Sequence, residues 1–176
     1  LVSILENDES IAVAASDIVT PEGLHQNPMR ESTYCEELFW PITIMRNRKS
    51  KKWFSCDYTQ TGYCAKVSGC CFMIRISFVE KINFFDEATF LYSEEPILAK
   101  QVQNNNVKMY YTSSVQSIHR HIKNEKGDPL KRMKLLDISR RYYLRKYSAY
   151  SNLKLWMLFL SKDIEMHFLK HFIKKL

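Results

Sequence analysis

The most informative stretch of this 176-residue chain covers residues 68–98, SGCCFMIRISFVEKINFFDEATFLYSEEPIL. Four small residues come first, and the apolar segment over residues 72–74 that follows them predicts a strand. A helical pattern over residues 77–82, a turn and an aromatic patch come next. Glu94 and Glu95 then stand at the start of a helix with an apolar stripe. Together these segments predict one supersecondary unit around which the rest of the chain is organised.

Glu94 and Glu95 allow two interpretations. Free backbone N–H groups at the start of a helix favour negative charge, so the pair can cap the helix. A carboxylate can also act as a general base, provided that it is positioned at a reacting hydroxyl. The two residues alone leave both interpretations open.

The order of the motifs adds a resemblance. Small residues, an apolar strand ending in Ile-Arg, an F-D-E turn and the run F-L-Y-S-E-E succeed one another between residues 69 and 95. This order resembles the acceptor-side half of family 2 glycosyltransferases, most closely the rhamnosyltransferase-like members that build surface polysaccharides. In that family the stretch reads roughly G-A-x-x-x-I-R, then F-D-E-x-F-F-x-Y-x-E-D. The matching positions here are Gly69, Cys70, Ile74, Arg75, Phe85, Asp86, Glu87, Phe90, Tyr92, Glu94 and Glu95.

The resemblance implies a role for each matching polar or small residue. Glu95 would remove the proton from an acceptor sugar hydroxyl that attacks a nucleotide-activated sugar with inversion, and Glu94 would hydrogen-bond the acceptor. Glu95 departs from the family, which usually has Asp there, and reaches one methylene further. Gly69, Cys70 and Tyr92 would contribute to substrate binding, Gly69 by leaving room that a side chain would fill.

Two further candidates lie outside that stretch. Trp53 can stack on a sugar or serve as a core aromatic. His119, with His121 behind it, occupies the place where metal-dependent relatives use a histidine to help hold a divalent cation, Mg²⁺ or Mn²⁺, with the donor diphosphate. The alternative is that His119 is an edge-strand histidine without a ligand role. No D-x-D motif occurs in these residues, so no cofactor is expected for this stretch of chain alone.

The remaining pattern predicts an α/β fold followed by a helical C-terminal tail, and the resemblance implies that the sheet is a partial GT-A-like mixed sheet flanked by helices. The resemblance implies a first domain over residues 1–122, without the family's nucleotide-binding half, and a basic amphipathic tail over residues 123–176. Strands are predicted at residues 11–15, 53–58, 72–74, 107–111 and 115–121, and helices at 1–6, 77–82, 96–103, 130–147 and 152–174. Residues 24–50 are predicted to be a solvated loop, with a phosphate-contacting loop as the alternative.

Charge is unevenly distributed along the chain. Residues 1–119 carry 11 Lys and Arg against 14 Asp and Glu, whereas residues 120–176 carry 15 against 5. Such asymmetry predicts an anionic surface as a partner. The second tail helix places Trp156, Phe159 and Leu160 near Lys154 and Lys162, a composition suited to the interface of an anionic membrane. The expected location is cytoplasmic, peripheral on the cytoplasmic face of a membrane, where a saccharide or lipid-linked acceptor would be met.

Other functional classes stay open. The basic tail could dock a non-catalytic adaptor on a membrane or a larger enzyme, or the apolar helical face could form a homo-oligomer. A nucleic-acid partner is not expected, because stacking platforms lie in grooves or sheets rather than on a helix with an apolar stripe. Five cysteines without a C-x-x-C pair predict free thiols in a reducing compartment.

Overall fold

The computed structural model describes residues 1–49, 56–89, 91–120 and 128–173. In chain order the elements are α1 (Val2–Asn7), β1 (Ile11–Val19), α2 (Tyr34–Leu38), α3 (Trp40–Lys49), β2 (Gly62–Cys64), β3 (Phe72–Ile74), α4 (Ile76–Lys81), α5 (Glu94–Asn104), β4 (Lys108–Ile118), α6 (Pro129–Tyr147) and α7 (Asn152–Ile173). The predictions made for Trp53, Phe90 and His121 concern residues outside the described ranges.

The four strands form one mixed sheet in the order β2-β4-β1-β3. Strand β1 runs parallel to β4 and antiparallel to β3, and β2 pairs antiparallel with β4. A parallel pair needs a long crossover, which β3, α4 and α5 provide between β1 and β4. The chain therefore has the predicted α/β class, with a mixed sheet, flanking helices and a helical C-terminal region.

Strand β1 is longer than its apolar pattern predicts, because polar side chains continue it beyond residue 15. All nine of its residues are buried. The Ser16 hydroxyl lies 2.9 Å from that of Ser117 on β4. The Asp17 carboxylate accepts hydrogen bonds from His25 and Gln116. Buried polar groups are tolerated where they find such partners, so the strand continues to Val19.

Strand β4 corresponds to two predicted segments joined by an irregularity. Thr112 pairs with Ser16 and Gln116 with Asp17, so residues 113–115 bulge out of the ladder. The Ser113 N–H donates to the Thr61 hydroxyl at 3.0 Å, which gives the bulged backbone a partner. The sequence break at residues 112–114 thus marks a bulge inside one strand.

The core lies between the sheet and helices α4 and α5. Phe78 of α4 and Leu98 and Val102 of α5 pack against small and branched residues of the strands. The buried cluster consists of Ala12, Val13, Ala15, Val67, Phe78, Leu98, Val102 and Met109. The apolar residues of α5 recur on the face that meets the sheet. This packing holds the first turn of the helix, which carries Glu94 and Glu95, beside the core.

Residues 24–50, predicted to be a solvated loop, contain α2 and α3 instead. Thr33 and Glu36 form a capping box: the Glu36 N–H donates to the Thr33 hydroxyl at 3.3 Å, and the Thr33 N–H donates to the Glu36 carboxylate at 2.8 Å. This reciprocal pair satisfies two free donors at a helix start. Pro41 fits the first turn of α3, where its missing N–H costs nothing.

The strand predicted at residues 53–58 is not formed by its described part. The Asp57 carboxylate accepts from the Thr59 N–H at 3.0 Å and from the Thr59 hydroxyl at 2.6 Å, which bends the chain into a turn. The edge strand β2 forms a few residues later, where Tyr63 pairs with Tyr110.

Chain contacts divide the protein into two compact units. The first, with the sheet, consists of residues 1–31, 56–87 and 94–121. The second, which is helical, consists of residues 32–55, 88–93 and 122–176. Residues 32–55 and 88–93 thus join the helical tail in one unit, a grouping that nothing in the sequence pattern indicates.

Helices α6 and α7 of the second unit begin and end close to their predicted positions. The Asp128 carboxylate accepts from the Leu130 N–H at 2.8 Å, with Pro129 at the first helical position, as the sequence predicts. The apolar residues of α6 differ in burial: Leu136 is exposed, whereas Tyr143 and Leu144 are buried together with Ser139.

Helix α7 buries only part of its apolar surface. Leu158 is fully buried, and Phe159 lies under the guanidinium groups of Arg141 and Arg145. Leu153, Met157, Leu160, Ile164 and Phe168, which recur at helical spacing along α7, are exposed. Among the helices that the structure describes, none is both long and apolar enough to cross a bilayer.

Candidate functional site

The site forms in the first unit, where the loop before β3 meets the first turn of α5. The Gly69 N–H donates to Oε1 of Glu95 at 3.3 Å. A Cβ atom at position 69 would lie only 3.3 Å from the same oxygen, so the glycine allows this close approach. Glu95 is half-buried, and Oε2 makes no hydrogen bond to the residues that the structure describes. One carboxylate oxygen is therefore held while the other can accept a proton.

The loop that carries Gly69 is fixed to the central strand by a buried amide. The Ser68 N–H donates to Oδ1 of Asn27 at 3.0 Å, and Nδ2 of Asn27 donates to the Ser16 carbonyl at 2.7 Å. Asn27 has no solvent exposure. Because both ends of its amide are bonded, Asn27 holds the loop against β1. Asn27 was not selected from the sequence, since its partners are distant along the chain.

The next residue of the loop meets the histidine that follows β4. Sγ of Cys70 lies 3.2 Å from Nδ1 of His119. The same nitrogen lies 2.8 Å from Oε1 of Gln26. Because an amide oxygen accepts hydrogen bonds, Nδ1 carries the proton in this arrangement. Gln26, like Asn27, was not selected from the sequence.

Four residues selected from the sequence thus lie along one line of contacts. Glu95 touches Gly69, the neighbouring Cys70 touches His119, and all four belong to the first unit. Glu94 is exposed in the first turn of α5, one residue from this line. Their proximity is a fact of the fold, whereas the role of each residue stays a prediction.

Tyr92 belongs to the second unit, and its backbone is unusual. Tyr92 and Ser93 have φ angles of 72° and 69°, so two consecutive residues with side chains adopt the left-handed region just before α5. Each such conformation costs on the order of 1 kcal/mol, and such residues cluster at functional sites. The backbone immediately before Glu94 and Glu95 is therefore strained, as expected of a segment that holds the residues after it in a particular position.

The atoms around His119 do not fit the divalent cation that the resemblance implies. They include an imidazole, a thiol and an amide oxygen, whereas Mg²⁺ and Mn²⁺ bind sets of oxygen ligands. In the part of the chain that the structure describes, no three His, Cys, Asp or Glu side chains are grouped for metal binding. The role of His119 as a metal ligand stays a prediction.

A second polar cluster, which sequence reasoning did not predict, surrounds the buried Asp17 carboxylate. His25 Nδ1 lies 2.9 Å from Oδ1, and Gln116 donates to Oδ2 at 3.0 Å. The Tyr111 hydroxyl donates to the Tyr58 carbonyl at 2.7 Å. Burial, with the Asp17 carboxylate nearby, raises the pKa of Tyr111 to about 12. A lone Asp inside an apolar strand pattern was the available signal.

The resemblance to glycosyltransferases rests on these residues and their order. The chain matches no model of a known protein family, and no curated protein matches it.

Proposed function

We propose that these residues form the acceptor-side part of an inverting glycosyltransferase, with Glu95 as the general base. The contact between Glu95 and Gly69 carries the proposal, because it holds one carboxylate oxygen at 3.3 Å from the Gly69 nitrogen and leaves the other available. A cap alone would need no contact with a glycine 26 residues away in the chain.

In the proposed reaction, an acceptor sugar hydroxyl binds with its proton directed at Oε2 of Glu95. The carboxylate takes the proton while the hydroxyl oxygen forms a bond to the anomeric carbon of the donor. The bond from that carbon to the diphosphate breaks on the opposite face, and the nucleoside diphosphate leaves with the electron pair. One displacement of this kind inverts the anomeric configuration.

The other site residues position the reactants. Glu94 accepts hydrogen bonds from acceptor hydroxyls, and Gly69 leaves the space in which the sugar and Glu95 meet. Cys70 follows Gly69 in the same loop, and its Sγ contacts the His119 ring. A divalent cation, where one is bound, would neutralise charge on the diphosphate, and no step above depends on it.

The test is a transfer assay with the full-length product of the gene. Nucleotide sugars of the UDP, dTDP and GDP classes are supplied with saccharide and lipid-linked acceptors, and the product is analysed by NMR. We expect transfer from one donor class with inverted anomeric configuration. Transfer with retention, or no transfer to any acceptor from any of these donors, would contradict the proposal.

A further inference from the structure

An apolar groove lies within the second unit, between α7 and the segment where α2 leads into α3. It has a volume of about 680 Å³. Trp156 is 61% exposed, and Phe39, Ile42 and Phe168 are each more than half exposed. The lining residues are Leu38, Phe39, Trp40, Pro41, Ile42, Trp156, Met157, Leu160, Ser161, Ile164 and Phe168. Contiguous exposed apolar surface of this kind marks an interaction site.

The groove offers little to a polar ligand. Ser161 has the one hydroxyl among the lining residues, and it donates to the Leu38 carbonyl at 2.8 Å. The indole N–H groups of Trp40 and Trp156 are the other polar side-chain groups of the lining. Tryptophan combines a large apolar ring with one donor, which suits the boundary between hydrocarbon and water.

The unit that carries the groove also carries the positive charge of the chain. Its sequence ranges contain 19 Lys and Arg against 7 Asp and Glu, whereas those of the first unit contain 7 against 12. Near the groove, Lys154 lies over the rings of Tyr34 and Tyr150, and Lys162 pairs with Glu165 at 2.6 Å. An apolar face on a strongly basic unit suits a partner that is apolar in its interior and anionic at its surface.

We propose that this groove and its exposed apolar rim insert into the interface of an anionic lipid bilayer. Charge complementarity favours this partner over a second copy of the chain, because pairing two such faces would bring together two units that each have a charge of +12. In this arrangement basic groups of the unit bind the anionic headgroups. Trp40, Trp156 and the exposed aliphatic lining residues enter the boundary between headgroups and hydrocarbon. The inference does not depend on sugar transfer, since it uses no residue of the Glu95 site.

The experiment is sedimentation of the 176-residue chain with vesicles. The vesicles contain phosphatidylcholine alone, or phosphatidylcholine with about 30 mol% phosphatidylglycerol. We expect binding to the anionic vesicles only, and at least about tenfold weaker binding when NaCl rises from about 50 to about 500 mM. Equal binding to both vesicle types, or binding that salt does not change, overturns the proposal.

Matched variants separate the groove from general charge effects. Ile164→Glu and Trp156→Glu, which place a carboxylate in the groove, are expected to weaken vesicle binding by about tenfold or more. Ile138→Glu makes the same change on α6, at a residue that is 63% exposed and does not line the groove. The control should weaken binding by no more than about threefold. Equal losses in the groove variants and the control overturn the proposal.

A spectroscopic measurement covers the case in which a groove variant fails to fold. In a Trp40→Phe, Trp53→Phe protein, Trp156 is the remaining tryptophan. Anionic vesicles should shift its emission to shorter wavelength, and brominated lipid should quench it. Unchanged emission overturns the proposal. So does a protein that is dimeric without lipid, becomes monomeric with Ile164→Glu and binds no vesicle, because the groove then covers a second copy.

Discussion

Because Gly69 has no side chain, the Glu95 carboxylate can contact the backbone of the loop before β3. The glycine N–H bonds one carboxylate oxygen, and the absence of Cβ lets that oxygen approach. Either feature alone is common in proteins. Together they place a carboxylate beside the loop before β3 at a helix start, the position that the proposed general base needs.

Gly69→Ala should therefore reduce sugar transfer more than it reduces stability. The new Cβ would lie 3.3 Å from Oε1 of Glu95, and the flexible Glu95 side chain would move by a few tenths of an ångström to relieve the contact. We expect turnover of the full-length product to fall by about tenfold, since a misplacement of about 1 Å costs about 10²-fold and this displacement is smaller. The midpoint of thermal unfolding should change little.

Gly62→Ala is the matched control, because a Cβ atom at position 62 would meet nothing within 4 Å. It should leave turnover at the parent level. A Gly69→Ala protein with full activity would show that the Glu95 carboxylate does not need this position.

The cysteines should differ widely in reactivity. Burial raises the pKa of the Cys64 thiol to about 12, and the neighbouring Cys56 thiol adds to the shift. At pH 8 its thiolate population is then about 10³-fold below that of an ordinary thiol. We expect mass spectrometry after iodoacetamide treatment to find Cys35, Cys70 and Cys71, all exposed, alkylated well before Cys64. Alkylation of Cys64 at the same rate as Cys35 would contradict this burial.

Part of the candidate site was predicted from the sequence. Gly69, Cys70 and Glu95 were selected because their order along the chain matched a family pattern, and the fold brings them together with His119. Asn27 and Gln26 escaped selection because their importance arises from contacts with residues 41 and 93 positions away. A single amide in a polar segment carries no local signal of such a contact.

Among the elements, most of those with strong local signals were predicted. The Asp128-Pro129 start of α6 and the apolar period of α7 are local features, and both helices form. Helix α2 was missed although the capping box of Thr33 and Glu36 can be read from the sequence. The sequence does not show what covers the apolar face of α7, because periodicity shows that a helix has such a face but not its partner.

Asp128→Ala should destabilise the helical unit by removing the acceptor for the Leu130 N–H. We expect the free energy of unfolding in urea to fall by about 1 kcal/mol, the usual cost of losing such a cap. Asp128→Asn keeps an acceptor oxygen and should lose much less. Equal stability of the Ala and Asn variants would show that the cap does not stabilise α6.

In the whole molecule, the candidate site and the excess of basic residues belong to different units. The first unit contains Gly69, Cys70, Glu95 and His119 and has an excess of acidic residues, while the second has the apolar groove and the basic excess. The sequence predicted the basic tail. It did not predict that residues 32–55 join the tail in one unit, because that grouping depends on contacts between α2 and α7.

In the proposed mechanism Glu95 takes the acceptor proton, and Glu95→Gln in the full-length product removes that step. The Gln side chain keeps an oxygen for the Gly69 N–H but cannot act as a base, so position is preserved while the chemistry is lost. Steady-state transfer kinetics should show kcat lowered by on the order of 10²–10⁴, with donor and acceptor KM little changed. Glu94→Gln, the neighbouring control, should mainly raise the acceptor KM. A Glu95→Gln enzyme with nearly the parent kcat, and a lower midpoint of thermal unfolding, would contradict the account and leave Glu95 as a helix cap.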